Sequence, residues 1–490
     1  MKTQAFRTTA VAAILCGVAS VATATVTAGT YTGEAPGKMS TVRATVTLSA
    51  DGRIDDVTLD VSGETPELGG AAAKKIAPEI VATQSTAVDA VSGATVSSQA
   101  IKNAVVAALV KAGADPKKYD VKVQKKIGPD EVISADVVVV GAGASGTAAA
   151  LAAAESGAKV VVLEKTPAAG GASKIAMGLF AVESRQQKEM FKNDPEMLKV
   201  LSKDALYTEL MDYNHYLSNA QITRRVVDMS GDTVDWLHGY GADFKLVEDN
   251  IQQGQDPYPL RWRIYHRYVD SPAAFKNMYT ALGKMGGKLM TQTRAFDLEQ
   301  DKDGNVTAVI AQKADGAKLT VKTKAVVIAS GGFGGDAKHL AKAMESENIT
   351  QRIAWSNNGE GLEMAWKAGA QKLGENHALI HGAEFDGLAT SASKNGSHMV
   401  DANVLVRVLK TPLMWVDTAG HRFANEELVY DTVYWSNAGY SIGGKYFVIV
   451  DGATLDAYTA DKIPFERNLA HSTFVRAGSS EVDEVNFSLY

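Results

Sequence analysis

The sequence predicts a multidomain chain in which a small α+β domain precedes an α/β, Rossmann-like domain. Three observations lead there. Val42 to Leu48 and Ile54 to Val61 alternate apolar and polar residues around Asp51-Gly52, a hairpin signal. Asp136 to Val140 is a valine run, as in a strand buried on both faces of a parallel sheet. Gly141-x-Gly143-x-x-Gly146 follows it directly and opens an Ala-rich helix. At 490 residues the chain exceeds one ordinary domain.

Taken in order, residues 1–24 read as a secretory signal peptide. Lys2 and Arg7 give a positive start, Thr9 to Val21 is a short apolar run, and Ala22-Thr23-Ala24 has the small-x-small pattern of a cleavage site. Export to the periplasm, with cleavage near Ala24, is the expectation. Residues 25–122 form the small α+β domain, with the hairpin followed by helical stretches near Ala71 to Ala82 and Ser97 to Ala112. Residues 123–134 are a charged linker. In the domain over 135–376, Thr147 to Ser156 reads as a helix and Lys159 to Glu164 as a second strand, which completes one βαβ unit. Mixed helical segments run from Pro195 to Met285. A hairpin is expected around Asp303-Gly304, then a strand from Ala325 to Ser330 and a second glycine cluster at Gly331 to Gly335. Residues 377–490 are irregular and rich in Gly, Asn and aromatics.

Composition narrows the chemistry. Acids outnumber bases 56 to 50 with no basic block, which argues against a nucleic-acid partner. After the N-terminus no stretch is apolar for long enough to span a bilayer as a helix. The single cysteine, Cys16, lies inside the leader, and Leu15 before it is not the small residue a lipoprotein site needs. The mature chain then has no disulfide, iron–sulfur cluster or Cys-x-x-Cys-His haem site. No metal is assigned, and redox chemistry there needs an organic cofactor.

Each glycine of the 141–146 turn has a purpose. Gly141 permits the tight turn, Gly143 lets the backbone approach a pyrophosphate, and Gly146 lets helix and strand pack closely. Ala144 and Ser145 lie in the turn, ahead of the helix whose N-terminal N–H groups would face the anion. Glu164 ends the second strand, 18 residues after Gly146, placed to accept from ribose hydroxyls. The constellation predicts dinucleotide binding.

Glu164-Lys165 is followed by Ala169-Gly170-Gly171-Ala172-Ser173. Here the chain resembles the flavoprotein superfamily of FAD-dependent fumarate reductases and succinate dehydrogenases, whose Gly-Gly-Ser segment lies against the flavin side of the cofactor. Ala329-Ser330-Gly331-Gly332-Phe333-Gly334 resembles the second FAD contact of that family. Asn358-Gly359-Glu360-Gly361, followed by Ala368-Gly369-Ala370, fits it as well. The resemblance implies FAD, held by an α/β domain with an inserted α+β clamp, or capping, domain over 377–490.

Asp89-Ala90-Val91-Ser92-Gly93-Ala94-Thr95-Val96-Ser97-Ser98 precedes a helical stretch. From the residues alone, Ser or Thr here could simply cap that helix. The string also resembles the flavinylation motif of FMN-binding domains, in which a flavin transferase joins FMN phosphate to a Thr hydroxyl. That resemblance implies covalent FMN at Thr95. The order of parts resembles exported flavin reductases related to flavocytochrome fumarate reductase and urocanate reductase, with the FMN domain in place of a haem domain. It implies electron flow from a membrane-bound quinol-linked donor through FMN and FAD to the C=C bond of an unsaturated acid.

The clamp region departs from the family pattern. His381 stands where the family has the His of a His-Pro-Thr segment, but Gly382-Ala383 follow. His381 would polarise the substrate, and Arg407 or Lys410 nearby would hold a carboxylate. Arg422-Phe423-Ala424-Asn425-Glu426 matches the next motif, yet Tyr430 stands where the family has its proton-donating Arg. Tyr titrates near about 10 and Arg above about 12, so Tyr is a credible donor but a poorer carboxylate clamp. The reading shifts from fumarate towards a bulkier or monocarboxylate substrate, or a related enone. Trp415, Tyr434 and Trp435 could line its pocket or be core. The family's return segment to the FAD domain has no counterpart before Tyr490, so a C-terminally incomplete chain is expected. The alternatives are fumarate or urocanate reduction proper, or a non-catalytic flavin electron carrier.

Overall fold

The computed structural model describes residues 26–38, 40–64, 66–91, 94–122, 127–176, 178–246, 263–349, 356–380, 383, 411–430 and 432–459. Strands β1 (Gly29–Pro36), β2 (Thr41–Leu48) and β3 (Ile54–Asp60) form an antiparallel sheet in sequence order. The expected hairpin is β2–β3, and Gly52 in its turn sits at φ +83°, where a side chain would be strained. The alternation has the predicted consequence: Val42, Ala44, Val46 and Leu48 are all buried.

Two helices cover this sheet. Helix α1 (Ala71–Thr83) lies against β3, and α2 (Thr95–Lys111) lies against β1 and β2. One core joins Ile54, Ile76, Ile80, Ile101 and Leu109. Strand β1 lacks a clean apolar period, and Gly33 and Pro36 interrupt the strand signal of Thr30-Tyr31-Thr32. It fits because Gly33 lets α2 cross closely: a Cβ there would overlap the α2 backbone at Ala104 and Ala108.

The second body is built on four parallel strands. These are β5 (Val137–Val140), β6 (Val160–Leu163), β10 (Lys288–Met290) and β14 (Ala325–Ile328), in the order β10-β6-β5-β14. Helix α3 (Ala144–Glu155) connects β5 to β6 and starts three residues before the expected Thr147. Ala, Ser and Gly at its start gave no apolar period to read. A second sheet carries β11 (Thr293–Gln300), β12 (Val306–Lys313) and β13 (Lys318–Lys322), with β4 (Glu131–Ser134) parallel to β13. The Asp303-Gly304 turn joins β11 to β12.

Helix α4 (Arg185–Met190) comes before the stretch expected to be mixed helical, which contains α5 (Pro195–Val200), α6 (Lys203–Tyr213), α7 (Ala220–Gly239) and α8 (Ser271–Lys284). Two strands within that stretch, β8 (Phe244–Leu246) and β9 (Tyr265–Tyr268), join the earlier β7 (Gly178–Phe180) in a small antiparallel sheet in the order β7-β9-β8. Strands of three or four residues are too short to show a period. Helices α9 (Ala337–Met344) and α10 (Glu360–Lys367) follow the second glycine cluster. Further on, β15 (Met414–Val416) pairs antiparallel with β16 (Phe447–Ile449), and a helix spans Thr432–Ser441. Among the described residues no helix is long and apolar enough to cross a membrane.

Candidate functional site

An open cleft lies where β5, β6 and β14 end, at the N-terminus of α3. Carboxyl ends of parallel strands are where open α/β sheets bind ligands. Gly141, Gly143, Ala144 and Ser145 form one wall. The three glycines differ in what constrains them. Gly141 has φ +102°, and a Cβ there would lie 2.5 Å from the Ala329 carbonyl oxygen. Gly146 stands behind the wall, where a Cβ would overlap the Gly141 carbonyl, so it lets α3 seat on β5. A Cβ on Gly143 would meet no protein atom closer than 3.6 Å. Neither protein crowding nor a left-handed φ demands glycine at 143, and its bare Cα borders the cleft.

Glu164 is buried, and both its oxygens accept backbone N–H groups. Oε2 accepts from Ala142 at 2.9 Å and Oε1 from Thr166 at 2.8 Å. It therefore fastens the glycine turn to the end of β6. A carboxylate has about four acceptor positions, so two are left over. Gly170, at φ +111°, donates its N–H to the Ala142 carbonyl at 2.8 Å and forms a bridge with Gly143. Gly171, Ala172 and Ser173 come to the cleft wall, and Ser173 Oγ accepts the Ala144 N–H at 3.0 Å. Ser330 and Gly331 also line the cleft. Gly332 is set back, its carbonyl accepting the Gly359 N–H at 3.0 Å.

Lys165 reaches the cleft, but its charge is engaged. Its Nζ lies 2.5 Å from Glu360 Oε2, and Arg294 Nε lies 2.7 Å from Glu360 Oε1. Burial alone would raise the Glu360 carboxyl. The hydrogen bonds and charges of Lys165 and Arg294 outweigh it and hold the group below its ordinary value. Arg294 on β11 carries no signal in the sequence, because only the fold brings it beside a residue so far along the chain. Beneath the turn, Thr147 Oγ1 donates to the Gly143 carbonyl at 2.8 Å and lies 3.1 Å from the Tyr279 hydroxyl. Burial pushes that phenol well above its ordinary value, so it stays neutral.

The turn before α2 is a second feature. The residue in the cap position is Ala94, which has no side chain that can accept, and Thr95 is the first helical residue. Thr95 is exposed and caps nothing, so the capping explanation does not apply to it. Ser97 and Ser98 are buried. Ser98 Oγ accepts the Val91 N–H at 3.0 Å, and Ser97 Oγ donates to Glu64 Oε2 at 2.5 Å. Ser92 and Gly93 lie outside the described residues.

Little can be said of the substrate end. His381, Arg407 and Lys410 lie outside the described residues, as does the Tyr430 side chain, whose main chain closes the turn Glu426–Tyr430. Of the two readings of the aromatics, core packing holds for Trp415 and Trp435. Trp415 and Trp435 are 1% and 3% exposed and stack 6.3 Å apart in a core with Phe423 and Tyr446. Tyr434 packs on Tyr213 and His215.

Residues 136–466 match the FAD binding domain family, and residues 37–110 match the FMN-binding domain family. A vinyl phenol reductase of Lactiplantibacillus plantarum is 33% identical over 67% of this chain and 64% of its own. An NADH:acrylate oxidoreductase of Vibrio harveyi is 27% identical over 92% of this chain and 49% of its own. A urocanate reductase of Eggerthella lenta is 26% identical over 81% of this chain and 63% of its own. The chain thus spans about half to two thirds of the length of these relatives.

Proposed function

The chain belongs to the FAD binding domain family and carries an FMN-binding domain ahead of it, and from that premise we propose that it is a periplasmic flavin-dependent reductase of C=C bonds. The carrying observation is that three separate segments, 141–145, 171–173 and 330–331, converge on one cleft at the start of α3. The bare Gly143 and the uncapped helix start suit the pyrophosphate of FAD. Glu164 has acceptor positions to spare for ribose hydroxyls. Bound there, FAD supplies the hydride for an electron-poor C=C bond.

The exposed Thr95 is the attachment point for covalent FMN, installed by a flavin transferase. This FMN relays electrons from a membrane-bound quinol-linked donor, a role suited to a mature chain without cysteine. The periplasmic setting rests on the charged start, apolar run and cleavage pattern of residues 1–24.

The substrate is a small α,β-unsaturated carboxylate or related enone. His381 polarises it, Arg407 holds its carboxylate, and Tyr430 gives the proton to the carbon that does not receive hydride. Tyr430 in place of a cationic donor disfavours fumarate, which carries two carboxylates. One observation favours a second reading. The Lactiplantibacillus relative is named for a vinyl phenol, which has no carboxylate, so an aromatic alkene is also in range.

The test is oxidation of reduced viologen by flavin-loaded protein with acrylate, cinnamate, a vinyl phenol, urocanate and fumarate. Turnover of acrylate or cinnamate well above fumarate supports the first reading, and turnover of the vinyl phenol supports the second. Preference for fumarate or urocanate assigns the family's own activities, and no turnover with any of them leaves a flavin electron carrier.

A further inference from the structure

Glu64 is the most heavily engaged buried carboxylate in the N-terminal domain. It is 4% exposed, and it collects donors from two separate segments. Oε1 accepts from the Ser40 N–H at 2.8 Å and the Ser40 hydroxyl at 3.1 Å. Oε2 accepts from the Lys38 N–H at 3.2 Å and the Ser97 hydroxyl at 2.5 Å. Glycines clear the space around this cluster. A Cβ on Gly37 would lie 2.6 Å from Glu64 Oε1, one on Gly69 2.5 Å from Glu64 Cβ, and one on Gly63 would overlap Ser40. A buried charge is tolerated only with such a set of donors, so the arrangement is a built one.

Its effect is felt in the turn that opens α2. Three hydroxyl side chains stand there within four residues: Thr95, Ser97 and Ser98. Ser97 is turned inward onto Glu64, and Ser98 is turned inward onto the Val91 N–H. Thr95 alone of the three is exposed.

We propose that Glu64 is the positioning residue of the acceptor turn: by holding Ser97 inward it fixes the start of α2 so that Thr95, and not Ser97, takes the flavin. This rests on the reading that Thr95 carries covalent FMN. In that reaction the Thr95 oxygen forms a bond to the phosphorus of the FMN moiety of a flavin dinucleotide donor, and the pyrophosphate bond breaks. A nucleoside monophosphate leaves, the hydroxyl proton goes to solvent, and no electrons are exchanged. Such transfer is almost entirely a matter of positioning, so a displaced acceptor costs rate at saturation more than it costs binding.

The experiment follows FMN loading of the full chain by a flavin transferase with FAD as donor, reading the rate by covalent flavin fluorescence and the position by peptide mass mapping. Glu64→Ala should load Thr95 roughly tenfold or more slowly at saturating transferase, with little change in KM, and should place some FMN on Ser97. Glu64→Gln keeps one acceptor oxygen but turns its NH2 towards the Ser40 or the Lys38 N–H, so it should recover the rate only in part. If Glu64→Ala does not fold, Ser97→Ala takes its place and should slow loading with the other Glu64 contacts kept. Loading of Thr95 alone at the parent rate, in a folded Glu64→Ala or in Ser97→Ala, overturns the role of Glu64. An unmodified Thr95 in the parent chain overturns the attachment reading itself, and the two failures are distinguishable.

Discussion

Arg422 and Glu426 form a two-pronged ion pair, Nε to Oε1 at 2.8 Å and an Nη to Oε2 at 2.5 Å. Glu426 is buried, and its Oε1 also accepts the Trp415 N–H at 3.2 Å. The Arg-Phe-x-Asn-Glu segment therefore holds β15 in place, and its Arg is engaged within the protein. Glu426→Gln should lower the unfolding free energy by roughly 1–3 kcal/mol, as expected for hydrogen bonds to a charged group. Urea unfolding checks the number.

The same pair gives a pH dependence. The Arg422 hydrogen bond, against burial, holds the Glu426 carboxyl below its ordinary 4.5. A carboxyl lowered by folding contributes stability that is present above the unfolded value and is lost as pH falls through the folded one. Thermal melts of the parent should therefore drop on acidification below about pH 4.5 more steeply than those of Glu426→Gln. Parallel slopes would remove the pair from the acid response.

Gly143 and Gly146 should respond in opposite ways to added side chains. Gly143→Val places its Cβ no closer than 3.6 Å to a protein atom, so melting of the cofactor-free chain should change far less than in Gly146→Ala while FAD retention is lost. Gly146→Ala drives a methyl into the Gly141 carbonyl and should cost about 1–3 kcal/mol of stability. Unchanged FAD content in Gly143→Val would place the pyrophosphate elsewhere.

Thr95→Ala should abolish the mass increment of FMN minus water in protein made with a flavin transferase. It should leave the melting temperature of the unloaded chain intact, because Thr95 makes no capping bond. Loss of a true cap would cost about 1 kcal/mol.

Tyr430→Phe keeps the ring and removes the transferable proton. If Tyr430 is the acid, kcat should fall by about 10² to 10⁴ with FAD content unchanged. A change confined to KM would make it a pocket residue.

The βαβ unit was legible because a valine run, three spaced glycines and a terminal acid agree with one another. Glu164 was found by position, but its bonds to Ala142 and Thr166 depend on the tertiary path of the turn. Arg294 and the carboxylate bridge to Lys165 were invisible, since nothing local links β11 to β6 or α10. The inward turn of Ser97 was equally hidden: Glu64 lies in another segment, and the hydroxyls of Thr95, Ser97 and Ser98 are told apart chiefly by what surrounds them. Trp415 and Trp435 were ambiguous for the same reason, because an aromatic pair reads alike in a core and in a pocket.

The two sheets differ in how soon a growing chain can finish them. The order β1-β2-β3 pairs each strand with its sequence neighbour, and α1 and α2 follow at once. The parallel sheet places β5 and β6 between β10 and β14, both of which arrive far later. Local pairings form quickly, and distant ones must wait for their partners to emerge. While the chain is still appearing, the Thr95 turn is therefore assembled on its own scaffold when the cleft still lacks both outer strands. The FMN-binding domain can then be complete before the cleft of the second domain exists.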